Sequence, residues 1–225
     1  MVTPEQAMNR LNRDVGAAVR PLGFRGSRGT WILTTPDGIA QVGTGRRSLP
    51  APGGRGTIFV GVGYVVVPLA WWEYVNWRGA RWGQPAIPLD KHALSHRIGF
   101  VEARRRPDHD HYHMKLDPDA YPANVTTADE LERAAAALGD AAGTLARTAI
   151  DLLRPGRYLE AMLGIDDIGY GMWESVVVLL AERGPSPQLD RAIDDMCDSY
   201  AASGAERPEQ IIHYARTRAG DKAAQ

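Results

Sequence analysis

The hydrophobic pattern of this chain changes period part-way along its length. Between residues 29 and 68, apolar and polar residues alternate in GTWILTT, IAQVGTGR and TIFVGVGYVVVP. From residue 126 onward, apolar residues instead recur three and four positions apart, as at Leu131, Ala135 and Leu138. A period of two is typical of strands, and a period near 3.6 is typical of helices. Strands followed by helices predict an α+β fold.

Turn and capping residues indicate where these segments begin and end. Thr3, Pro4 and Gln6 form the start of an N-terminal helix, and Pro36-Asp37-Gly38 predicts a hairpin between the first two strands. SHRIGFVEAR (residues 95–104) and HYHMKLD (residues 111–117) also have strand patterns. The sequence therefore predicts an N-terminal helix, an antiparallel sheet of about five strands and a C-terminal helical section.

The length of 225 residues fits one large domain, or one domain with a helical extension. We expect residues 1–125 to form the helix and sheet, with an aromatic insertion at 69–94. Residues 126–225 are expected to form the helical section, packed on the sheet as one unit.

A single cysteine, Cys197, excludes an internal disulfide framework. The first residues, MVTPEQAMNRL, lack a signal-peptide pattern, and no apolar run reaches the roughly 20 residues that span a bilayer. We expect a cytoplasmic protein without a membrane partner.

Charge is distributed unevenly along the chain. Residues 1–113 hold 15 Lys/Arg against 8 Asp/Glu, a formal +7, while residues 114–225 hold 11 against 19, a formal −8. Attraction between the two halves within one molecule explains this pattern, and so does a basic surface for an anionic ligand or nucleic acid.

Several short motifs resemble an uncharacterised bacterial family that is defined only as a domain of unknown function. These are the helix ending in Gly23-Phe24, the strand with Gly29-Thr30-Trp31, the strand with Gln41, and the segments TIFVGVGYVVV and ESVVVLLAERG. The resemblance implies the same α+β arrangement of a helix, an antiparallel sheet and C-terminal helices. It implies no chemistry, because no catalytic residues can be transferred from it.

The insertion at 69–94 is rich in aromatic residues and arginines. Its candidate binding residues are Trp71, Trp72, Tyr74, Trp77, Arg78, Arg81 and Trp82. Trp, Tyr and Arg dominate interface hot spots, and aromatic rings also stack on bases. The alternative is that these tryptophans cover one end of the sheet as part of the core.

Arginines in predicted loops are the second candidate. Arg46 precedes the LPAPGG loop, and Arg104 and Arg105 belong to a basic turn. If these loops meet at one end of the sheet, they would attract an anionic ligand; the alternative is that each is a solvated turn.

The third candidate is a group of three histidines at alternate positions, His109, His111 and His113. On a strand they would share one face, where imidazoles could coordinate a metal. A divalent metal at these residues is the only cofactor that the sequence suggests. The alternative is the polar face of a strand after a solvated turn, since no recognised zinc spacing is present.

These residues favour a non-catalytic binding or regulatory protein that recognises a protein or an anionic small molecule through the insertion. A metal-dependent enzyme that uses the three histidines is the first alternative. Nucleic-acid binding by the basic N-terminal half is the second, and the pI of about 6.6 disfavours it.

Overall fold

The computed structural model describes residues 4–49, 57–91, 127–166, 168–206 and 208–224. Within these ranges the chain forms α1 (Pro4–Val19), a 3-10 turn (Arg20–Leu22), β1 (Arg25–Ser27), β2 (Thr30–Thr35), β3 (Gly38–Leu49) and β4 (Thr57–Pro68). It continues with α2 (Leu69–Arg81), α3 (Ala128–Leu153), α4 (Arg157–Leu163), α5 (Tyr170–Ala181), α6 (Pro187–Ala202) and α7 (Glu209–Ala223). The predicted α+β class is confirmed.

The strands form one antiparallel sheet in the order β1-β2-β3-β4, so each strand pairs with its neighbour in sequence. The predicted hairpin is present, because β2 and β3 flank Pro36 and Asp37. Gly38 makes this turn possible: its φ is +146°, and a Cβ there would lie 2.3 Å from the carbonyl oxygen of Val67. Only a residue without a side chain fits this position.

The described sheet has four strands, where the sequence predicts about five. Strand β1 was missed, because three exposed residues that include Gly26 give no apolar alternation. It is held by its register, which pairs Gly26 with Trp31. The strands predicted at 95–104 and 111–117 lie outside the described residues.

Two compact units divide the chain. In described residues, the first comprises 4–34, 40–49, 57–66 and 127–151, and the second comprises 35–39, 67–91, 152–166, 168–206 and 208–224. The boundary predicted at residue 125 lies outside the described residues and stays a prediction.

The core of the first unit is built from periodic apolar positions. In α1, Ala7, Leu11, Val15 and Val19 are fully buried, at the spacing of one helix face. A Cβ at Gly16 would lie 3.0 Å from the Trp31 ring, which shows how closely this helix packs on β2. Helix α3 adds a second buried face, formed by Leu131, Ala135, Leu138, Ala142, Leu145, Ala146 and Ala149.

Helix α5 is the centre of the second unit. Four consecutive residues, Ser175 to Val178, are at most 1% exposed, so the middle of this helix is buried on all sides. It packs against α2, α4, α6 and α7. Among the described residues, no helix combines the length and apolar character that crossing a membrane requires.

Candidate binding surface

The aromatic insertion begins with a helix. Pro68 ends β4 and precedes the first turn of α2, where a residue with a fixed φ and no N–H is tolerated. The helix closes at Gly83, whose φ is +69°. There the Gly83 N–H donates to Ala80 O and the Gln84 N–H to Gly79 O, the paired bonds of a glycine-terminated helix.

Helix α2 sorts its aromatic residues into a buried and an exposed group. Trp71 and Tyr74 are only 6% and 2% exposed and belong to the core of the second unit. Trp72 and Trp77 are half-buried, and Trp82, just after the helix, is 60% exposed.

Aromatic rings of α2 and α7 pack against each other around Tyr74. The Tyr74 ring lies 5.3 Å from Trp71, 6.1 Å from Trp77 and 5.0 Å from Tyr214 of α7, measured between centroids. Burial, followed by the Glu174 carboxylate, raises the pKa of Tyr74 to about 12. Burial likewise raises the pKa of Tyr214 to about 12, so both hydroxyls are neutral at physiological pH.

Above these rings, two arginines lie over aromatic faces. The Arg81 guanidinium is 4.1 Å from the centroid of the Trp77 ring. The Arg78 guanidinium is 5.3 Å from the Tyr74 centroid and 5.9 Å from that of Trp82. We name the surface formed by Trp77, Arg78, Arg81, Trp82 and His213 the aromatic–arginine surface.

The two arginines differ in their neutralisation. Arg78 lies 3.6 Å from the carboxylate of Glu174, which also accepts a hydrogen bond from the Tyr200 hydroxyl. Exposed Arg81 pairs with no carboxylate in the part of the chain that the structure describes. Among these residues, no carboxylate offsets its charge.

Hydrogen bonds hold the segment after α2 against the helix. The Trp72 indole N–H donates to the Ile87 carbonyl oxygen at 2.7 Å. The Asn76 amide accepts from the Ile87 N–H at 2.7 Å and donates to the same carbonyl at 3.2 Å. Trp72 therefore helps to position the segment that follows Trp82. Its side chain makes a structural contact within the protein.

The remaining sequence-predicted site residues lie outside helix α2 in the sequence. Arg46 belongs to strand β3, while Arg104, Arg105, His109, His111 and His113 lie outside the described residues. Within the ranges given above, no group of three His, Cys, Asp or Glu side chains could hold a metal ion. The metal site stays a prediction.

Sequence reasoning missed the neighbours that helices α5 and α7 supply. The His213 ring lies 6.4 Å from Trp77, and Glu174 pairs with Arg78. Helical periodicity places His213 on an exposed face, but no sequence signal shows that this face borders α2.

No protein-family model, curated protein or solved structure matches this chain. The resemblance to the bacterial family therefore stays a prediction.

Proposed function

We propose that this protein is a non-catalytic binding protein that recognises an acidic, aromatic-containing segment of a partner protein. The binding site is the aromatic–arginine surface. One observation carries the proposal: the Arg81 guanidinium, which pairs with no carboxylate among the described residues, lies over the Trp77 ring, and the next residue, Trp82, is 60% exposed.

The residue types suit protein recognition. A stacked arginine keeps its five donors directed outward in a planar fork that matches a carboxylate. An exposed tryptophan offers a large apolar face, which gains about 25 cal/mol for each Å² that a partner covers. Trp and Arg together are the residues most enriched in interface hot spots.

The surface is also preorganised, which lowers the entropic cost of binding. The Ile87 hydrogen bonds fix the chain after Trp82, and the buried Tyr74 and Tyr214 rings support Trp77 from below. Binding then orders few additional groups, so more of the contact energy appears as affinity.

Charge favours an acidic protein segment over a nucleic acid. The whole chain has a formal charge of −1. In the same unit, α6 exposes four carboxylates at Asp190, Asp194, Asp195 and Asp198. A long phosphate backbone would be repelled by this acidic helix, whereas a short acidic segment needs only the local charge of the arginines.

The test uses a labelled synthetic peptide of alternating glutamate and tyrosine, with a glutamine–tyrosine peptide as the neutral control. Fluorescence anisotropy should show that the acidic peptide binds the full chain and the neutral one does not. Arg81→Ala and Trp82→Ala should each weaken binding by at least about tenfold, as expected for hot-spot residues.

Matched control variants are present in the chain. Arg191→Ala removes another exposed arginine, and Leu163→Ala removes an exposed large apolar side chain that is 39% accessible. Both should leave peptide affinity unchanged. Equal binding by all variants, or tighter binding to a single-stranded thymidine oligonucleotide than to the acidic peptide, would refute the proposal.

A further inference from the structure

A cavity of about 500 Å³ lies within the second unit, at the N-terminal end of α2. Its walls come from the β2–β3 turn, the first turn of α2, the α3–α4 connection, the C-terminal end of α5 and the last turns of α7. None of the five residues of the aromatic–arginine surface lines it. The volume is in the range of small-molecule sites in proteins.

One wall of the cavity is a fixed ionic network. Arg218 donates from Nε to Glu182 at 2.5 Å and from Nη2 to Glu73 at 2.8 Å. Lys222 Nζ lies 3.1 Å from Glu182. The bonds to Glu182 raise the pKa of Arg218. Two cations and two carboxylates therefore neutralise each other before any ligand arrives.

Arg183 is a cationic residue of the lining that does not belong to this network. It follows α5, is exposed, and pairs with no carboxylate among the residues that the structure describes. Its guanidinium lies against Gly156 so closely that a Cβ there would be 2.9 Å from Nη2. The lining contains four cationic side chains, with Arg154 the fourth, against three carboxylates including Asp37, a formal excess of +1.

The rest of the lining is largely apolar. Leu152, Leu153, Leu159 and Leu179 face the cavity together with three prolines. Tyr158 also lines it and is only 5% exposed; burial raises the pKa of its hydroxyl, which stays neutral. Among the described lining residues, a ligand would find an excess of one positive charge beside apolar walls, the pattern of a site that orients a mostly apolar molecule.

We infer that this cavity binds a small monocarboxylate with an apolar tail, held by Arg183 at its carboxylate and by the leucines at its tail. The planar guanidinium matches a carboxylate through two parallel hydrogen bonds. A phosphate is disfavoured, because its second negative charge would face Glu73, Glu182 and Asp37 with only one excess cation to offset it. This site is independent of the proposed function.

The probe is octanoate, titrated calorimetrically into the full chain at constant ionic strength. Octanamide is the control that keeps the tail and removes the charge, and inorganic phosphate is the control that keeps the charge and removes the tail. Octanoate should bind, and both controls should bind at least about tenfold more weakly: octanamide lacks the charge that strengthens the hydrogen bonds to Arg183, and phosphate lacks the apolar tail that the leucines cover.

Arg183→Gln should weaken octanoate binding by at least about tenfold and leave octanamide unchanged. Arg191→Gln, at an exposed arginine outside the lining, is the matched control and should bind as the native chain does. Arg81→Ala should also keep octanoate affinity, which separates this site from the aromatic–arginine surface. No binding of octanoate, equal binding of octanamide, or unchanged affinity in Arg183→Gln would each overturn the inference.

Discussion

The indole N–H of Trp72 donates a 2.7 Å hydrogen bond to the carbonyl oxygen of Ile87, fifteen residues further along the chain. This bond fixes the segment after α2 against the helix that precedes it. A tryptophan that looks like a binding residue in the sequence therefore has a structural contact, while the exposed neighbour Trp82 has none of this kind among the described residues.

Trp72→Phe should lower the free energy of unfolding by about 1 kcal/mol, the net contribution of one hydrogen bond. The aromatic bulk is kept, so the loss reports mainly the missing donor. Urea unfolding measures it. Trp82→Phe is the matched control and should cost about 0.5 kcal/mol or less, as exposed substitutions do. Equal losses in both variants would contradict a structural contribution from the Ile87 bond.

Gly38→Ala should be among the most destabilising substitutions in the chain. The φ of +146° strains any residue with a side chain, and the new Cβ would lie 2.3 Å from Val67 O. We expect a loss of at least about 2 kcal/mol in urea unfolding.

Gly63→Ala in β4 is the control for this glycine. Its Cβ would meet nothing within 4 Å in the described structure, and its φ is not positive. It should be neutral or stabilising by about 0.4–1 kcal/mol, because alanine restricts the unfolded chain. A Gly38→Ala protein as stable as Gly63→Ala would mean that the β2–β3 turn is not built as described.

Arg218→Gln should destabilise the second unit by about 1–2 kcal/mol, because Glu73 and Glu182 would lose a shared partner while remaining half-buried. Arg216→Gln, two residues earlier on the same helix and exposed, is the control and should change stability by about 0.5 kcal/mol or less. Urea unfolding of both compares them directly. Similar losses would show that Arg218 stabilises through its helix alone.

The ends of the regular elements follow from the sequence, because capping and turn chemistry is local. Thr127 Oγ1 accepts from the Glu130 N–H at 3.2 Å, and Glu130 accepts from the Thr127 N–H at 2.8 Å, the two bonds that the Thr-x-x-Glu sequence of a capping box forms. Ser186 similarly caps α6 by accepting from the Leu189 N–H. Helix α3 ends at Leu153, directly before Arg154-Pro155-Gly156, whose proline and glycine interrupt a helix.

The candidate site was predictable only within α2. Trp77 and Arg81 are four residues apart, so a helix places them together, as observed. The sequence alone does not decide whether 69–81 is helical, because Trp and Tyr favour strands as much as helices. The ionic network could not be predicted at all: Arg218 and Glu73 are 145 residues apart, and only the packing of α7 on the rest of its unit brings them together.

The ionisation of Glu130 makes the stability of the first turn of α3 depend on pH. Hydrogen bonds from Thr127 hold its pKa below the ordinary value. A depressed carboxyl pKa stabilises the folded chain above about pH 4.3 and loses that contribution as pH falls through the lower, folded value. Acid unfolding of the native chain should therefore include a component that Glu130→Gln lacks, and thermal unfolding across this range measures it. Identical pH profiles for both proteins would count against the capping box as a titrating element.

Tyr74 makes the stability of the folded chain depend on pH in the alkaline range, where stability falls as pH rises. Burial raises its pKa to about 12, while an unfolded tyrosine titrates near 10. The folded state therefore holds its proton more tightly, so this stabilisation is complete below about pH 10 and is lost as pH rises toward 12. Tyr74→Phe removes the titrating group and should lose less stability than the native chain between about pH 10 and pH 12 in urea unfolding. If both chains weaken equally over that range, the Tyr74 hydroxyl is not held in the buried cluster described above.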